Sequence, residues 1–276
     1  MTLSPREASE LLRRHGLAPR QRLGQNFVVD PNTVRRIARL ADVGPDDHVV
    51  EIGAGLGSLT LALLETGARV TAIELDDGLV EVLHETVPAA RIVAGDARQL
   101  DWAALLDGRP AVVVANLPYY AATSIVADLL DDVPLVERLL VMVQAEVGER
   151  LAAGPGTKAY GAVSVKVAYW AEAAVVGRVP PTVFLPRPKV DSALVAIRRR
   201  SVPAGPPSVP AADLFRLVRA GFGQRRKTLR RSLTDLATEA DFVAAGIDPG
   251  ARAEQLDVEA WGRLALAVHE HGAAGR

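Results

Sequence analysis

Short apolar segments alternate with segments of helical periodicity between residues 48 and 144. The apolar segments are HVVEI, RVTAIEL, ARIVAGD, AVVVAN and RLLVMVQ, and most of them stop at a glycine, an acid or an amide. The segments between them include SLTLALLETG, DGLVEVLHETV and ATSIVADLLDD, whose apolar residues recur every three or four positions. This alternation predicts an α/β fold in which helices cover both faces of a parallel sheet.

The pattern changes after Val147. SVKVAYW, EAAVVGRV and SALVAIRRR are predicted strands, and the Gly/Pro-rich loop AAGPGTKAYG precedes the first of them. The segment from Ser201 to Pro210 is a Pro-rich predicted linker, and every segment beyond it is helical in pattern. We therefore expect a larger α/β domain over residues 1–203 and a small all-helical domain over residues 204–276.

The composition narrows the chemistry. The chain contains no cysteine among its 276 residues, which excludes disulfides, thiolate metal ligands and cysteine nucleophiles. The first residues lack the apolar stretch of a signal peptide, and no apolar run approaches the roughly 18 residues that span a bilayer. We expect a cytoplasmic protein with no membrane partner.

Charge is unevenly distributed, although the net charge is only −1. Residues 41–110 carry 13 acidic residues against 4 arginines, whereas residues 198–231 carry 10 basic residues against one acid. Residues 1–40 carry 8 arginines against 3 acids. Basic segments on both sides of an acidic one favour a polyanion held at the flanks, and solvated helix faces are the alternative interpretation.

Glycines follow the first predicted strand in the sequence Glu51-Ile52-Gly53-Ala54-Gly55-Leu56-Gly57. Glycine lets the backbone approach a ligand where a Cβ atom would clash. The dinucleotide fingerprint G-x-G-x-x-G fails because position 58 is Ser, which disfavours a dehydrogenase. An acid before a G-x-G-x-G spacing resembles instead the S-adenosylmethionine loop of class I (Rossmann-like) methyltransferases.

Acidic residues end the next two predicted strands. Glu74 ends the second strand, and a carboxylate there can accept hydrogen bonds from both hydroxyls of a ribose. Asp96 ends the third strand, where it can meet the amino group of an adenine. Ligands of open α/β sheets lie beyond the carboxyl ends of the strands, so the glycines and the two acids together predict an S-adenosylmethionine site.

Asn116-Leu117-Pro118-Tyr119 follows the fourth strand and is the predicted reaction centre. The N6 atom of adenine is a poor nucleophile because its lone pair is delocalised into the ring. Acceptors at the Asn116 side-chain oxygen and the Leu117 carbonyl would hold its hydrogens and aim the lone pair at a sulfonium methyl group. Pro118 fixes the backbone, and Tyr119 offers a stacking face for the base. Such catalysis depends on positioning and needs neither a metal nor a nucleophilic side chain.

A base inside a helix cannot reach such a pocket, so it has to be unstacked and held between aromatic or apolar faces. Phe184, in the Pro-rich segment PPTVFLPRPKVDSA, is a predicted second face. A core phenylalanine in a Pro-rich turn is the alternative interpretation. The predicted catalytic set is therefore Asn116, Leu117, Pro118, Tyr119 and Phe184.

The chain from Arg20 to about Leu233 resembles one family, the ribosomal RNA adenine N6,N6-dimethyltransferases that modify small-subunit (16S) rRNA, often called KsgA or RsmA enzymes. The segments that carry the resemblance lie in the family's order along the chain. They are Arg22-Leu23-Gly24-Gln25-Asn26-Phe27, EIGAGLG, Glu74, Gly95-Asp96-Ala97, NLPY, Tyr160 to Val165, Phe184 to Ala193, and Arg225 to Leu233 (RRKTLRRSL). The last two segments are specific even when taken alone.

The resemblance implies S-adenosylmethionine as the cofactor, S-adenosylhomocysteine as its product, and no metal. The expected cofactor contacts are Gln25, Asn26, Val28, Gly53, Gly55, Glu74, Leu75, Asp96, Ala97 and Asn116. Val28 stands where the family usually has Leu, and Ala54 stands where Pro is common. A backbone contact tolerates the first change, and the second should be harmless.

The implied substrate is a pair of adjacent adenosines in the 3′-terminal hairpin loop of 16S rRNA, and the implied partner is an immature small ribosomal subunit. A monomer is the default expectation. The expected RNA contacts are Arg22, Arg187, Lys189, Arg225, Arg226, Lys227, Arg230 and Arg231. The last five recur at i, i+1, i+4 and i+5 spacing, so we expect them on one side of a basic helix that contacts phosphates.

Other functions share part of this pattern. A large-subunit rRNA adenine methyltransferase of the antibiotic-resistance type has the same loop and an Asn-x-Pro-aromatic motif, but RRKTLRRSL favours the small-subunit enzyme. A DNA adenine methyltransferase leaves that segment unexplained. A protein that mainly binds immature subunits as an assembly factor, with methylation secondary, is equally compatible with the sequence.

Overall fold

The computed structural model describes residues 2–20, 24–118 and 120–274. The chain divides into two compact units, of which the first comprises Met1–Glu149 and Ala173–Arg199 and the second Arg150–Glu172 and Arg200–Arg276. Residues 150–172, which the sequence analysis assigns to the larger domain, thus belong to the second unit. The predicted linker, Ser201 to Pro210, begins one residue after Arg200, where the second stretch of the second unit starts.

The strands follow the apolar segments of the sequence. They are β1 (Phe27–Val28), β2 (His48–Ile52), β3 (Arg69–Glu74), β4 (Arg91–Ala94), β5 (Ala111–Asn116), β6 (Val136–Gln144), β7 (Ala171–Val179), β8 (Phe184–Leu185) and β9 (Ser192–Arg199). Every residue of β2 is buried, and so is every residue of β5 except Asn116. Strands that are buried on both faces belong to a sheet covered on both faces.

The helices lie mostly between these strands and in the second unit. They are α1 (Pro5–Arg14), α2 (Pro31–Ala41), α3 (Ser58–Leu64), α4 (Asp77–Thr86), α5 (Trp102–Leu106), α6 (Ala122–Asp132), α7 (Ala145–Leu151), α8 (Ala162–Trp170), α9 (Ala211–Gly223), α10 (Leu229–Ser232), α11 (Glu239–Ala245) and α12 (Val258–Ala274). None of the described helices is long and apolar enough to cross a membrane.

Seven of the described strands form one sheet in the order β4-β3-β2-β5-β6-β9-β7. The strands from β4 to β6 in this order pair in parallel, which confirms the predicted βαβ arrangement. β9 returns antiparallel to β6, with Leu194 opposite Met142, so the sheet is mixed. β1 and β8 form a separate antiparallel pair, with Val28 opposite Phe184.

The prediction of a strand at SVKVAYW is wrong, because these residues lie in α8. The helix begins at Ala162, and the backbone N–H of the preceding residue, Gly161, donates to Ser164 Oγ at 3.0 Å. The apolar side chains of this helix pack in the core of the second unit. There the Tyr169 ring lies edge-on to Phe215, with 5.1 Å between the ring centroids. A largely buried helix has apolar residues on most of its sides and therefore shows no clear helical period. The alternating β-branched residues of this segment are for this reason weak evidence for a strand.

The prediction of one basic helix over Arg225 to Arg231 is also wrong. The helix before it, α9, ends at Gly223, and Lys227 N–H donates to Gln224 O at 2.8 Å in the turn that follows. The next helix, α10, has only four residues. Its first N–H groups, at Leu229 and Arg230, donate to the carbonyls of Ala251 and Pro249. The basic residues thus occupy a turn and a short helix held by the loop at 249–251.

Burial of Glu51 makes stability depend on pH in a direction that can be predicted. Its carboxyl group lies in β2 with 2% of the residue exposed, and Thr60 Oγ1 donates to it at 2.6 Å. Burial raises the pKa of Glu51 to about 8. The folded protein therefore holds this proton more tightly than the unfolded chain, whose carboxyl titrates near 4.5. The stability from this group is complete below pH 4.5 and is lost as pH rises through 8.

We expect Glu51→Gln to remove this pH dependence, because an amide oxygen can still accept from Thr60 and does not ionise. The free energy of unfolding of the wild type should fall relative to the variant between pH 5 and pH 8, by on the order of 1 kcal/mol for each pH unit. Urea denaturation of both proteins across this range measures the difference. Glu81→Gln, at an exposed position of α4, is the matched control. Parallel pH profiles for the wild type and Glu51→Gln would contradict the account.

Candidate active site

A cleft opens in the first unit where β2, β3, β4 and β5 end. Nine of the ten residues expected to contact a cofactor line it: Gln25, Asn26, Gly53, Gly55, Glu74, Leu75, Asp96, Ala97 and Asn116. The tenth, Val28, is buried in β1 and lines a smaller neighbouring cavity.

The glycine loop after β2 forms one wall of the cleft. Gly53 and Gly55 adopt φ angles of +75° and +59°, which residues with a side chain rarely adopt. A Cβ atom on Gly55 would lie 2.9 Å from Cδ1 of Phe27, so the loop could not keep its path with a larger residue. Glycine is therefore needed both for the backbone conformation and for the close approach.

Glu74 connects the glycine loop to the start of α4. Its Oε2 accepts a hydrogen bond from Gly55 N at 2.8 Å, and its Oε1 accepts from Leu75 N and Asp76 N at 2.9 and 3.0 Å. Burial raises the pKa of Glu74, and the three N–H donors partly offset this by stabilising the charged form. The carboxylate is thus fixed in orientation at the cleft wall, with about one acceptor position left for a donor in the cleft.

Asp96 lines the cleft, but its carboxylate is already paired with Arg98, a residue that the sequence analysis did not single out. Arg98 donates to Asp96 from Nη2 at 2.7 Å, from Nε at 3.2 Å and from its backbone N at 3.0 Å. The guanidinium holds the pKa of Asp96 below its ordinary value, so this carboxylate acts only as an acceptor. About four acceptor positions exist on a carboxylate, which leaves one for an adenine amino group.

Asn116 ends β5 and is fixed by the N-terminal segment. Its Nδ2 donates to the carbonyl oxygen of Asn26 at 2.9 Å. Leu117 N donates to Met142 O, which ties the next peptide to β6. Within the described ranges, neither Asn116 Oδ1 nor the Leu117 carbonyl accepts a hydrogen bond. The two acceptors that the sequence analysis assigns to an amino group are therefore available.

Of the other predicted catalytic residues, only some line the cleft. Pro118 lines the cleft, and Leu117 is 2% exposed. Tyr119 lies outside the described residues. Phe184 is 5% exposed, packs in the core of the first unit and does not line the cleft, so its stacking role stays a prediction. Tyr120, which is not among the residues predicted from the sequence, lines the cleft and is 61% exposed.

The predicted RNA contacts differ in how far their charge is already engaged. Arg225 pairs with Glu254 at 2.6 Å, and Arg230 pairs with Glu239 at 2.9 Å. Five of the predicted RNA contacts are exposed and form no ion pair in the described parts of the chain: Arg187, Lys189, Arg226, Lys227 and Arg231. Arg22 lies outside the described residues. The free charges are thus on the turn before α10, on α10 itself and on the segment after β8.

Residues 2–20, 24–118 and 120–274 contain no group of three or more His, Asp or Glu side chains placed to hold an ion. Three residues that line the cleft supply acceptors: the carboxylates of Glu74 and Asp96 and the amide oxygen of Asn116. Such a set binds the donors of a neutral or cationic ligand.

Comparison with known proteins agrees with this geometry. The family model for ribosomal RNA adenine dimethylase matches residues 16–270. The ribosomal RNA small subunit methyltransferase A of Thermobifida fusca is 49% identical over 276 residues, which cover 95% of each chain. That of Streptomyces coelicolor is 48% identical and covers 95% of this chain and 96% of its own.

Solved structures show the same fold. The 23S rRNA methyltransferase ErmE superposes with a TM-score of 0.68 at 27% identity, over 88% of this chain and 99% of its own. A dimethyladenosine transferase from Plasmodium falciparum superposes with a TM-score of 0.72 at 24% identity, over 88% and 97%. The Rossmann-like methyltransferase fold and the helical C-terminal region predicted from the sequence are thereby confirmed. The chain belongs to the ribosomal RNA adenine dimethylase family and is an rRNA adenine dimethyltransferase.

Proposed function

We propose that this enzyme uses S-adenosylmethionine to dimethylate N6 of two adjacent adenosines in the 3′-terminal hairpin loop of 16S rRNA, in small ribosomal subunits that are still assembling. The observation that carries the proposal is the fixed Asn116, whose available amide oxygen lines the same cleft as Glu74 and Asp96. The small-subunit name of relatives at 46–49% identity supports the choice of substrate. This activity would place the enzyme in the cytoplasm.

Two carboxylates of the cleft suit the ribose and the adenine of S-adenosylmethionine. Glu74 presents carboxylate oxygens to a ribose, and Asp96 has an acceptor position left for the adenine amino group. Gly53 and Gly55 of the glycine loop line the same cleft, and a Cβ atom on Gly55 would clash with Phe27 and displace this wall. Bound there, the sulfonium supplies an electrophilic methyl group.

The residues of the enzyme would then act on the adenine. For the first methyl group, Asn116 Oδ1 and the Leu117 carbonyl would accept the two N6 hydrogens, which favours a pyramidal nitrogen whose lone pair is less delocalised into the ring. Since Asn116 Nδ2 is held by Asn26 O, the amide cannot rotate without losing that bond. Holding the reactants in line lowers the entropic part of the barrier. The N–C bond would form as the S–C bond breaks, and the methylated nitrogen would then lose its proton to water, so no side chain has to remove a proton before the transfer.

A large-subunit rRNA methyltransferase remains the second candidate, because ErmE shares the fold over 88% of this chain. Its identity to this chain is 27%, well below that of the small-subunit relatives. A role in which the protein mainly binds and checks immature subunits is compatible with the same site. Growth and subunit maturation with a catalytically dead enzyme separate binding from methylation: full rescue of assembly favours the binding role.

Asn116→Ala should abolish methyl transfer while RNA binding persists. The substitution removes the acceptor for the target amine and leaves the basic surface of the second unit untouched. Transfer of labelled methyl groups to undermethylated small subunits measures the first effect, and a filter-binding assay measures the second. Turnover by Asn116→Ala, or preferential methylation of large-subunit rRNA or DNA by the wild type, would overturn the proposed function.

Glu74→Gln should weaken binding of S-adenosylhomocysteine about tenfold or more. Hydrogen bonds to a charged acceptor contribute about 1.5–3 kcal/mol, and about 1.4 kcal/mol corresponds to a factor of ten. Isothermal titration calorimetry measures the affinity, and Glu81→Gln is again the exposed control. Unchanged affinity in Glu74→Gln, or binding of NAD by the wild type in place of S-adenosylhomocysteine, would contradict the cofactor assignment.

Arg226→Ala and Lys227→Ala should each weaken RNA binding and flatten its salt dependence. Both side chains are exposed and free of ion pairs in the described chain, so each can bind a phosphate. Removing one phosphate-binding cation should reduce the slope of log K against log salt by roughly 0.7–0.9. Arg109→Ala, an exposed arginine of the first unit, controls for net charge. Equal slopes for all of these proteins would remove these two residues from the interface.

A further inference from the structure

Asp76 is a buried acid whose carboxylate joins two segments of the first unit. Only 5% of the residue is exposed. Its Oδ1 accepts from Gly78 N at 3.2 Å, as expected for the residue that caps α4. Its Oδ2 accepts from Gln25 Nε2 at 2.9 Å and lies 3.0 Å from Nη1 of Arg20. Capping a helix requires one oxygen, so the second oxygen serves the N-terminal segment.

Gln25 is in turn fixed at both ends of its amide. While Nε2 donates to Asp76, Oε1 accepts from the backbone N of Arg20 at 2.7 Å. The guanidinium of Arg20 forms an ion pair with the carboxylate of Asp76. These three residues form a closed set of hydrogen bonds, in which a buried carboxylate is compensated by one cation and one amide.

The next residue along the chain holds the catalytic asparagine. Asn26 accepts the Asn116 amide at its carbonyl oxygen, 2.9 Å away, and its own side chain donates to Gly24 O at 3.0 Å. Beyond it, Phe27 enters β1 and pairs with Leu185. The position of the Asn26 carbonyl is therefore set by β1 on one side and by Gln25, through Asp76, on the other.

We infer that Asp76 is a positioning residue for methyl transfer, which acts on Asn116 through Gln25 and the Asn26 carbonyl. This inference rests on the proposed function of Asn116. Asp76 does not line the cleft and is not expected to touch the cofactor or the target base. Its effect is to keep the Asn116 amide from turning, so that Oδ1 and not Nδ2 faces the amine that is methylated.

Asp76→Asn tests the link with little change of shape. The asparagine oxygen can still accept from Gly78 N, but its NH₂ group then faces two donors, Gln25 Nε2 and the Arg20 guanidinium. We expect kcat on undermethylated small subunits to fall about tenfold or more, because small errors in alignment have costs of this size. The Kd for S-adenosylhomocysteine should change less than kcat. Asp77→Asn, the exposed neighbour with the same charge change, should keep the kcat of the wild type.

Gln25→Glu added to Asp76→Asn tests whether the hydrogen bond itself matters. In the double variant the carboxylate at position 25 accepts from Arg20 and from the amide at position 76, so the same set is rebuilt with the charge moved. We expect the double variant to recover most of the kcat that Asp76→Asn loses. Gln25→Glu alone places two carboxylates against each other and should lower kcat. A purely structural role predicts no such recovery of kcat beyond the recovery of the melting temperature.

The outcomes separate this inference from the proposed function. A wild-type enzyme that fails to methylate rRNA adenine would refute the proposed function. A wild-type enzyme that methylates, with Asp76→Asn equal to it in kcat, would overturn the role of Asp76 alone. If Asp76→Asn does not fold, Gln25→Leu cuts the same link and leaves the cap of α4 in place. Wild-type kcat at saturating cofactor in Gln25→Leu would then overturn the inference, and a loss of about tenfold would support it.

Discussion

The geometry of the cleft depends on the carboxylate of Glu74. Its two oxygens accept hydrogen bonds from Gly55 after β2 and from Leu75 and Asp76 before α4, so one side chain fixes the ends of two parallel strands against each other. A buried carboxylate is costly unless such donors surround it. The same group that a ligand would meet is therefore also the group that sets the shape of its site.

In the proposed mechanism, the residues around the target amine hold it in place and do not react with it. No cysteine exists in the chain, and three residues that line the cleft supply acceptors. Asn116 is held by Asn26, and the segment of Asn26 is joined through Gln25 to Asp76, which follows Glu74 by two residues. Cofactor site and target site thus share one hydrogen-bonded framework. We expect catalysis by such an arrangement to be sensitive to substitutions that leave every ligand-binding residue unchanged.

Much of this site could be predicted from the sequence because its signals are local. The glycine loop, Glu74, Asp96 and Asn116 each follow a short apolar strand, and parallel strands bring their carboxyl ends to one edge. The residues missed are those whose roles depend on distant partners. Asp76 appears as an ordinary helix cap, Arg98 as one more exposed arginine, and neither reveals its role until the chain is folded.

The two wrong predictions of secondary structure have a similar cause. The alternation in SVKVAYW is typical of a strand, but packing of Tyr169 against Phe215 in the second unit stabilises a helix there. The spacing of Arg225 to Arg231 is compatible with a helix, but carbonyls at Ala251 and Pro249 hold the start of a shorter one. In both cases tertiary interactions from far along the chain decide the local structure.

The central claim is that this cleft holds the methyl donor with its ribose at Glu74 and its reactive end at Asn116. A crystal structure with S-adenosylhomocysteine tests it most directly. We expect a ribose hydroxyl at hydrogen-bond distance, about 2.5–3.2 Å, from a Glu74 oxygen, with the sulfur facing the Asn116 amide. A ligand bound elsewhere, or bound in this cleft with its ribose away from Glu74, would contradict it.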